Sequence, residues 1–156
     1  MKYSRLTKEQ LEEMHEEFSR FLATQQITAD EWNKIKIESP DVAEQEIDIF
    51  SDLVWEKVLE NVVYADKVDQ QNIFLFYFGE KDMKLIAFKV SNVAIDLTTN
   101  KGMEWLIANC KEDTVRVFKA NKAYSVDKKM DIFTLIQQGA VISKGELYNH
   151  FSTVIG

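Results

Sequence analysis

An α+β fold, with helices flanking a small, mainly antiparallel sheet of three to four strands, is what the order of hydrophobic periodicities predicts. Three observations lead there. Between Thr7 and Asn61 the apolar residues recur at helical spacing, interrupted by cap and proline signals. Between Ile73 and Val90 the pattern turns extended around one central turn. The chain then returns to helix, strand and two further helices, an order in which helices flanking a small sheet can cover its faces. A length of 156 residues fits one domain, 1–156. Within it the charge separates an acidic helical part, 1–62, from a sheet with C-terminal helices, 63–156.

The helical part is punctuated by its caps. Thr7 with Gln10 forms a capping-box pattern, and Leu11, Met14, Phe18, Phe21 and Leu22 follow on one face, predicting a helix from about Lys8 to Gln25. Thr28 with Glu31 repeats the signal ahead of Trp32 and Ile35. Ser39-Pro40 is a cap followed by proline at the first helical position. It opens a long helix to about Asn61, with Ala43, Ile47, Phe50, Val54 and Val58 as its core stripe.

The stretch NIFLFYF, 72–78, has no polar break after Asn72. In a strand Ile73, Leu75 and Tyr77 point to one face and Phe74, Phe76 and Phe78 to the other, so both faces call for cover. Helices of the chain supply it in the simplest arrangement; a self-dimer through the second face is the alternative. Gly79–Asp82 turns the chain into a strand at 83–90, and VVYADKV, 62–68, is a further candidate. A helix from about Thr99 carries Met103, Trp105, Leu106 and Ile107, and TVRVFK, 114–119, reads as another strand. Helices near 127–138, stopped by Gly139, and 143–154, with Ser143 and Glu146 as a third capping box, close the chain.

Composition excludes several classes. With 46% hydrophobic and 29% charged residues the chain is globular rather than disordered. No run approaches the roughly 18 apolar residues of a membrane span, and the N-terminal MKYSRLTKEQLEEMHEEF is too charged for a secretory signal. A single cysteine, Cys110, rules out an internal disulfide or a cysteine-cluster zinc site, and the expected setting is the reducing cytoplasm. Residues 1–62 hold 7 Lys/Arg and 15 Asp/Glu, net −8, and residues 63–156 hold 12 and 11, net +1. Such a distribution speaks against general nucleic-acid binding, which needs a basic stripe for phosphates.

No motif implies a cofactor or a catalytic centre. Glu12-x-x-His15 has di-iron spacing but lacks a matching second pair, because Glu146 and His150 are four apart. Cys110 ends an apolar run and has no motif histidine to activate it. Asp96 to Gly102 reads as a helix cap rather than a phosphate loop. The element order from Pro40 to Lys119 is similar to the core of the restriction-endonuclease-like nucleases. That resemblance implies an acid before the strong strand, here Asp69, and an acid-x-lysine ending at Lys89. The second acid is replaced by Ala87, which removes charge a divalent metal needs. A degenerate nuclease-like domain is therefore the alternative to a protein without catalysis.

One pattern stands out. Glu44, Asp48, Asp52, Glu56 and Glu60 recur every four residues along the long helix, opposite its core stripe, with Trp55 at the border. Neighbouring like charges at this spacing cost roughly 0.2–0.5 kcal/mol each, and Glu56 and Glu60 lie near the negative end of the helix dipole. These six residues are the expected contact surface for a protein partner, a basic one by charge complementarity, or for the lysine-rich second half of the chain. The bland reading is a solvated face.

The segments KYSRLTKEQLEEMHEEFSRFLATQQITADEWNKIK, VAEQEIDIFSDLVWEKVL and LIQQGAVISKGELY resemble a family of small conserved bacterial proteins without an assigned function. The resemblance implies a soluble cytosolic protein and brings no catalytic residues with it. The combined expectation is a cytosolic binding or regulatory protein that works through protein contacts.

Overall fold

A computed structural model describes residues 1–156. The order is α1 (Lys8–Glu13), α2 (His15–Thr24), α3 (Ala29–Glu38), α4 (Pro40–Asn61), β1 (Tyr64–Val68), β2 (Asn72–Phe78), β3 (Asp82–Val90), α5 (Asn100–Asn109), β4 (Val115–Ala123), α6 (Lys128–Gln137), β5 (Val141–Ser143) and α7 (Glu146–Ile155). The fold is α+β with seven helices and one antiparallel sheet of five strands, so the expected three to four strands are corrected to five. Two compact units make up the chain, Met1–Glu60 and Asn61–Gly156. No helix is long and apolar enough to cross a membrane.

In the first unit the two threonine capping boxes form as the spacing predicts. Thr7 accepts from the Gln10 N–H and Thr28 from the Glu31 N–H, with the third-position side chains returning the bond in each case. The expected first helix bends at Met14 and becomes α1 and α2. Its aromatic face meets α3 and α4: Phe18 packs edge-on to Trp32 at 5.2 Å, and Phe18 and Phe21 lie 5.0 and 5.4 Å from Phe50. Ala43 and Phe50 are buried as expected, while Ile47, Val54 and Val58 are half-buried and Ser51 and Leu59 complete the buried set of α4.

In the second unit the sheet order is β4-β3-β2-β1-β5, every neighbour antiparallel. The 62–68 candidate supplies β1 through its last five residues, Tyr64–Val68. On one face Ile73 and Leu75 of β2 join Ile86, Phe88 and Val90 of β3 under Leu106 of α5 and Tyr148 and Phe151 of α7. The Phe88 and Phe151 rings sit 4.6 Å apart. On the opposite face Phe76 and Phe78 stack at 6.2 Å, and α6 lies across Phe76 with a cavity between them. Both sides of NIFLFYF are thus covered within the chain. Phe74, half-buried, carries the Lys67 ammonium 5.9 Å from its ring centre.

Two local readings change. Ser143 does not cap a helix. It ends β5 opposite Tyr64, donates its hydroxyl to Asp66 and accepts from the Gly145 N–H. Gly145 is the cap of α7 at φ 81°, and a side chain there would strike the Tyr64 ring. β4 runs four residues past Lys119, to Ala123, because pairing with Asp82–Leu85 carries it on where its own apolar pattern has ended. Thr99 caps α5 through the Gly102 N–H, and a Cβ at Gly102 would collide with the Asp96 carbonyl.

Candidate functional site

The α4 face that bears the acidic stripe is occupied. Residues 2–6 cross it with their main chain engaged at successive turns. The Asp52 carboxylate takes two adjacent backbone donors, Lys2 N–H at 2.7 Å and Tyr3 N–H at 2.9 Å. Ser51 Oγ accepts from Leu6 N–H at 3.0 Å while donating to the Ile47 carbonyl at 2.7 Å. The Trp55 indole N–H donates to the Ser4 carbonyl at 3.1 Å. Side chains add to these. Arg5 Nε reaches Asp48 at 2.6 Å, Lys2 Nζ lies 3.3 Å from Glu56, and the Tyr3 hydroxyl donates to Glu56 at 2.8 Å.

Tyr3 and Leu6 are buried, and Ser51, wholly enclosed, is the one buried polar residue of the chain. Its position makes sense of an otherwise costly group: both halves of its hydroxyl are satisfied, and the Leu6 N–H is satisfied with it. The Arg5 guanidinium beside Asp48 holds that carboxyl below the usual carboxylate range. Burial, reinforced by the Glu56 hydrogen bond, pushes the Tyr3 phenol up.

Of the six expected contact residues, Asp48, Asp52, Trp55 and Glu56 converge on this segment, whereas Glu44 and Glu60 stay exposed at either end. Helix geometry explains the split. A step of four residues overshoots one turn by about 40°, so five such positions wind over about 160° and only the central ones share a direction. Glu44 still contributes its field to Arg5. The sequence reading missed the occupant, Lys2 to Leu6, and Ser51. The available signal was the pair of cations at 2 and 5 interleaved with Tyr3 and Leu6, opposite in charge to the stripe.

The other candidate residues lie elsewhere in the chain. Asp69 accepts from the backbone of Gln71 and Asn72 and from the Asn72 side chain in the turn before β2. Lys89 is exposed on β3 between Asn72 and Arg116. His15 Nδ1 lies 3.1 Å from the Glu12 carbonyl. Cys110 is buried at the end of α5 among the first-face core. Asp96 accepts from Thr98 within the turn that leads to α5. Trp32 belongs to the aromatic core of the first unit, and Trp105 packs on the core of the second. No group of three or more His, Cys, Asp or Glu side chains is arranged to hold a metal ion.

By fold this is an α+β protein, and the acidic face of its α4 is covered by the chain's own residues 2–6. The chain belongs to a family of unknown function, DUF6495, whose model matches residues 1–156. No curated protein and no solved structure matches it.

Proposed function

We propose that the protein is a non-enzymatic binding or regulatory protein of the cytosol, acting through protein contacts at the acidic face of α4. The observation that carries this reading is the mode in which residues 2–6 are held. The face engages an extended basic segment by its backbone, through Asp52, Ser51 and Trp55, and by its charges, through Asp48 and Glu56. Recognition by backbone and by spaced cations transfers to any segment of the same type. The partner's segment therefore carries two cations three residues apart with apolar residues between and after them. It exchanges with the chain's own segment. Glu44, Glu60 and the half-exposed Ile49 and Leu53 border the same helix and extend the surface.

A tethered occupant competes at an effective concentration on the order of millimolar. A partner must beat it, and anything that loosens residues 2–6 raises apparent affinity. The test follows the Trp55 indole N–H by NMR while the peptide Ac-KYSRLT-NH2 is added to the full chain. We expect weak binding to wild type, tighter binding by about tenfold to a Lys2→Ala/Arg5→Ala variant, and loss in Asp48→Asn/Asp52→Asn. A Trp55 signal that stays still in the first two proteins would remove α4 as a docking face.

A further inference from the structure

The second unit presents the opposite chemistry on a surface that nothing occupies. β4 closes one edge of the sheet and pairs with β3 alone. It is nine residues long, and every one after Val115 is exposed, including Val117 at 43% and Phe118 at 54%. A long exposed edge with apolar side chains is a template for another strand unless charge, proline or a bulge blunts it. Here the only such device is charge, and it is all of one sign. Arg116, Lys119 and Lys122 lie in β4, which contains no acid. Adding β3, the pair of strands holds five cations, with Lys84 and Lys89, against the single Asp82. Lys89 stands directly across from Arg116, a like-charge pair that costs the isolated sheet stability.

The hydrogen-bond phase of the edge follows from one contact. Ser91 N–H donates to the Thr114 carbonyl, which makes that opposed pair a hydrogen-bonded one. Antiparallel ladders alternate, so Arg116, Phe118, Ala120 and Lys122 turn their backbone groups toward β3. Val117, Lys119 and Asn121 then turn theirs toward the open edge. Beside them, between the sheet and α6, lies a cavity of about 370 Å³ walled by Phe76, Met83, Leu85, Ala120 and Leu135. Ala120, the smallest of these, stands on the edge strand and leaves the cavity open on that side.

We propose that β4 accepts an acidic, extended peptide as a sixth strand, with acids facing Arg116, Lys119 and Lys122 and an apolar side chain passing over Ala120 into the cavity. A second copy of this chain fits poorly. Antiparallel self-pairing centred on Lys119 sets that residue against its own copy and Arg116 against Lys122. A partner rich in Asp and Glu relieves both this repulsion and the Lys89–Arg116 pair. The surface is separate from the α4 face and takes the opposite charge, so either can fail without the other.

The probe is the labelled heptapeptide Ac-ETLEVTE-NH2, which in antiparallel register puts glutamates across from Lys122, Lys119 and Arg116 and leucine across from Ala120. Its binding to the full chain is followed by anisotropy and by the amide signals of Val117, Lys119 and Asn121. We expect saturable binding that shifts those three amides, no shift of those amides by Ac-KTLKVTK-NH2, and an affinity about tenfold or more lower in Asn121→Pro, which removes one outward N–H and no charge. Arg116→Gln/Lys119→Gln/Lys122→Gln, all at exposed positions, is expected to cost about tenfold as well, so the test stands even where the proline variant fails to fold. The proposal is overturned if the heptapeptide does not bind, or if heptaglutamate or a ten-residue oligothymidylate binds as tightly and Asn121→Pro leaves that unchanged, which would mark a general polyanion surface. It is equally overturned if wild type is a dimer that Asn121→Pro dissociates.

Discussion

The α4 face and the β4 edge are both concentrations of one charge, and they solve the problem in opposite ways. On α4 the like charges lie on an element whose backbone is satisfied internally, and a distant segment of the chain supplies the counter-charges and the donors. On β4 the cations sit on an element whose backbone is satisfied on one side only, and none of them forms an ion pair. The lesson concerns where charge clusters are informative. A cluster met by the chain's own groups contributes to the fold and becomes available by exchange. A cluster left unmet on an open backbone edge costs stability and is available at once.

Substitutions can break this contrast, and Ser51→Val is the most severe. It leaves the buried Leu6 N–H without an acceptor, at a cost of about 1–3 kcal/mol in urea unfolding. A loss below about 0.5 kcal/mol would show that residues 2–6 do not depend on α4. Next comes Asp52→Ala, which strands two partly exposed backbone donors. About 1–2 kcal/mol should disappear, together with the slow exchange of the Lys2 and Tyr3 amides. An unchanged exchange pattern would contradict the contact.

Asp48→Asn tests the same clasp through pH. A carboxyl whose folded-state pKa is lowered contributes stability above its unfolded value of about 3.9, and that contribution is lost as pH falls through the folded value. Wild type should therefore lose stability over wild-type-minus-variant difference curves only below about pH 4, and the neutral-pH difference should stay under about 1 kcal/mol after solvent screening. A difference independent of pH between 2 and 7 would assign the loss to packing instead.

The β4 side should respond with the opposite sign. Arg116→Glu converts its like-charge pair with Lys89 into an attractive one, and the chain should gain about 0.2–1 kcal/mol while losing the acidic peptide. A destabilised variant would mean that Arg116 is held by contacts on its own strand. Smallest of all, Glu60→Gln removes an exposed charge at the negative end of α4 and should raise stability by about 0.3 kcal/mol. Relief of repulsion was the expectation for Glu56 as well. With Lys2 and Tyr3 bound to it, Glu56→Gln should instead lower the melting temperature.

The amino-acid sequence by itself determined what depends on near neighbours. The capping boxes at Thr7 and Thr28, the start of α4 at Pro40, its end at Asn61 and the two-faced burial of β2 are all set within a few residues. So was the existence of the acidic stripe. Only the tertiary structure decided which of those acids would be used, because their partners lie 43 to 54 positions away in the chain and no local rule reaches that far. The same reason hid β5, three residues that become a strand only by lying against Tyr64–Asp66, and turned Ser143 from a helix cap into a partner of Asp66. It also lengthened β4 through KANKA, where no periodic signal exists and pairing with β3 supplies the order. Local propensity chooses among conformations that differ by tenths of a kcal/mol per residue, and long-range pairing, once formed, outweighs it.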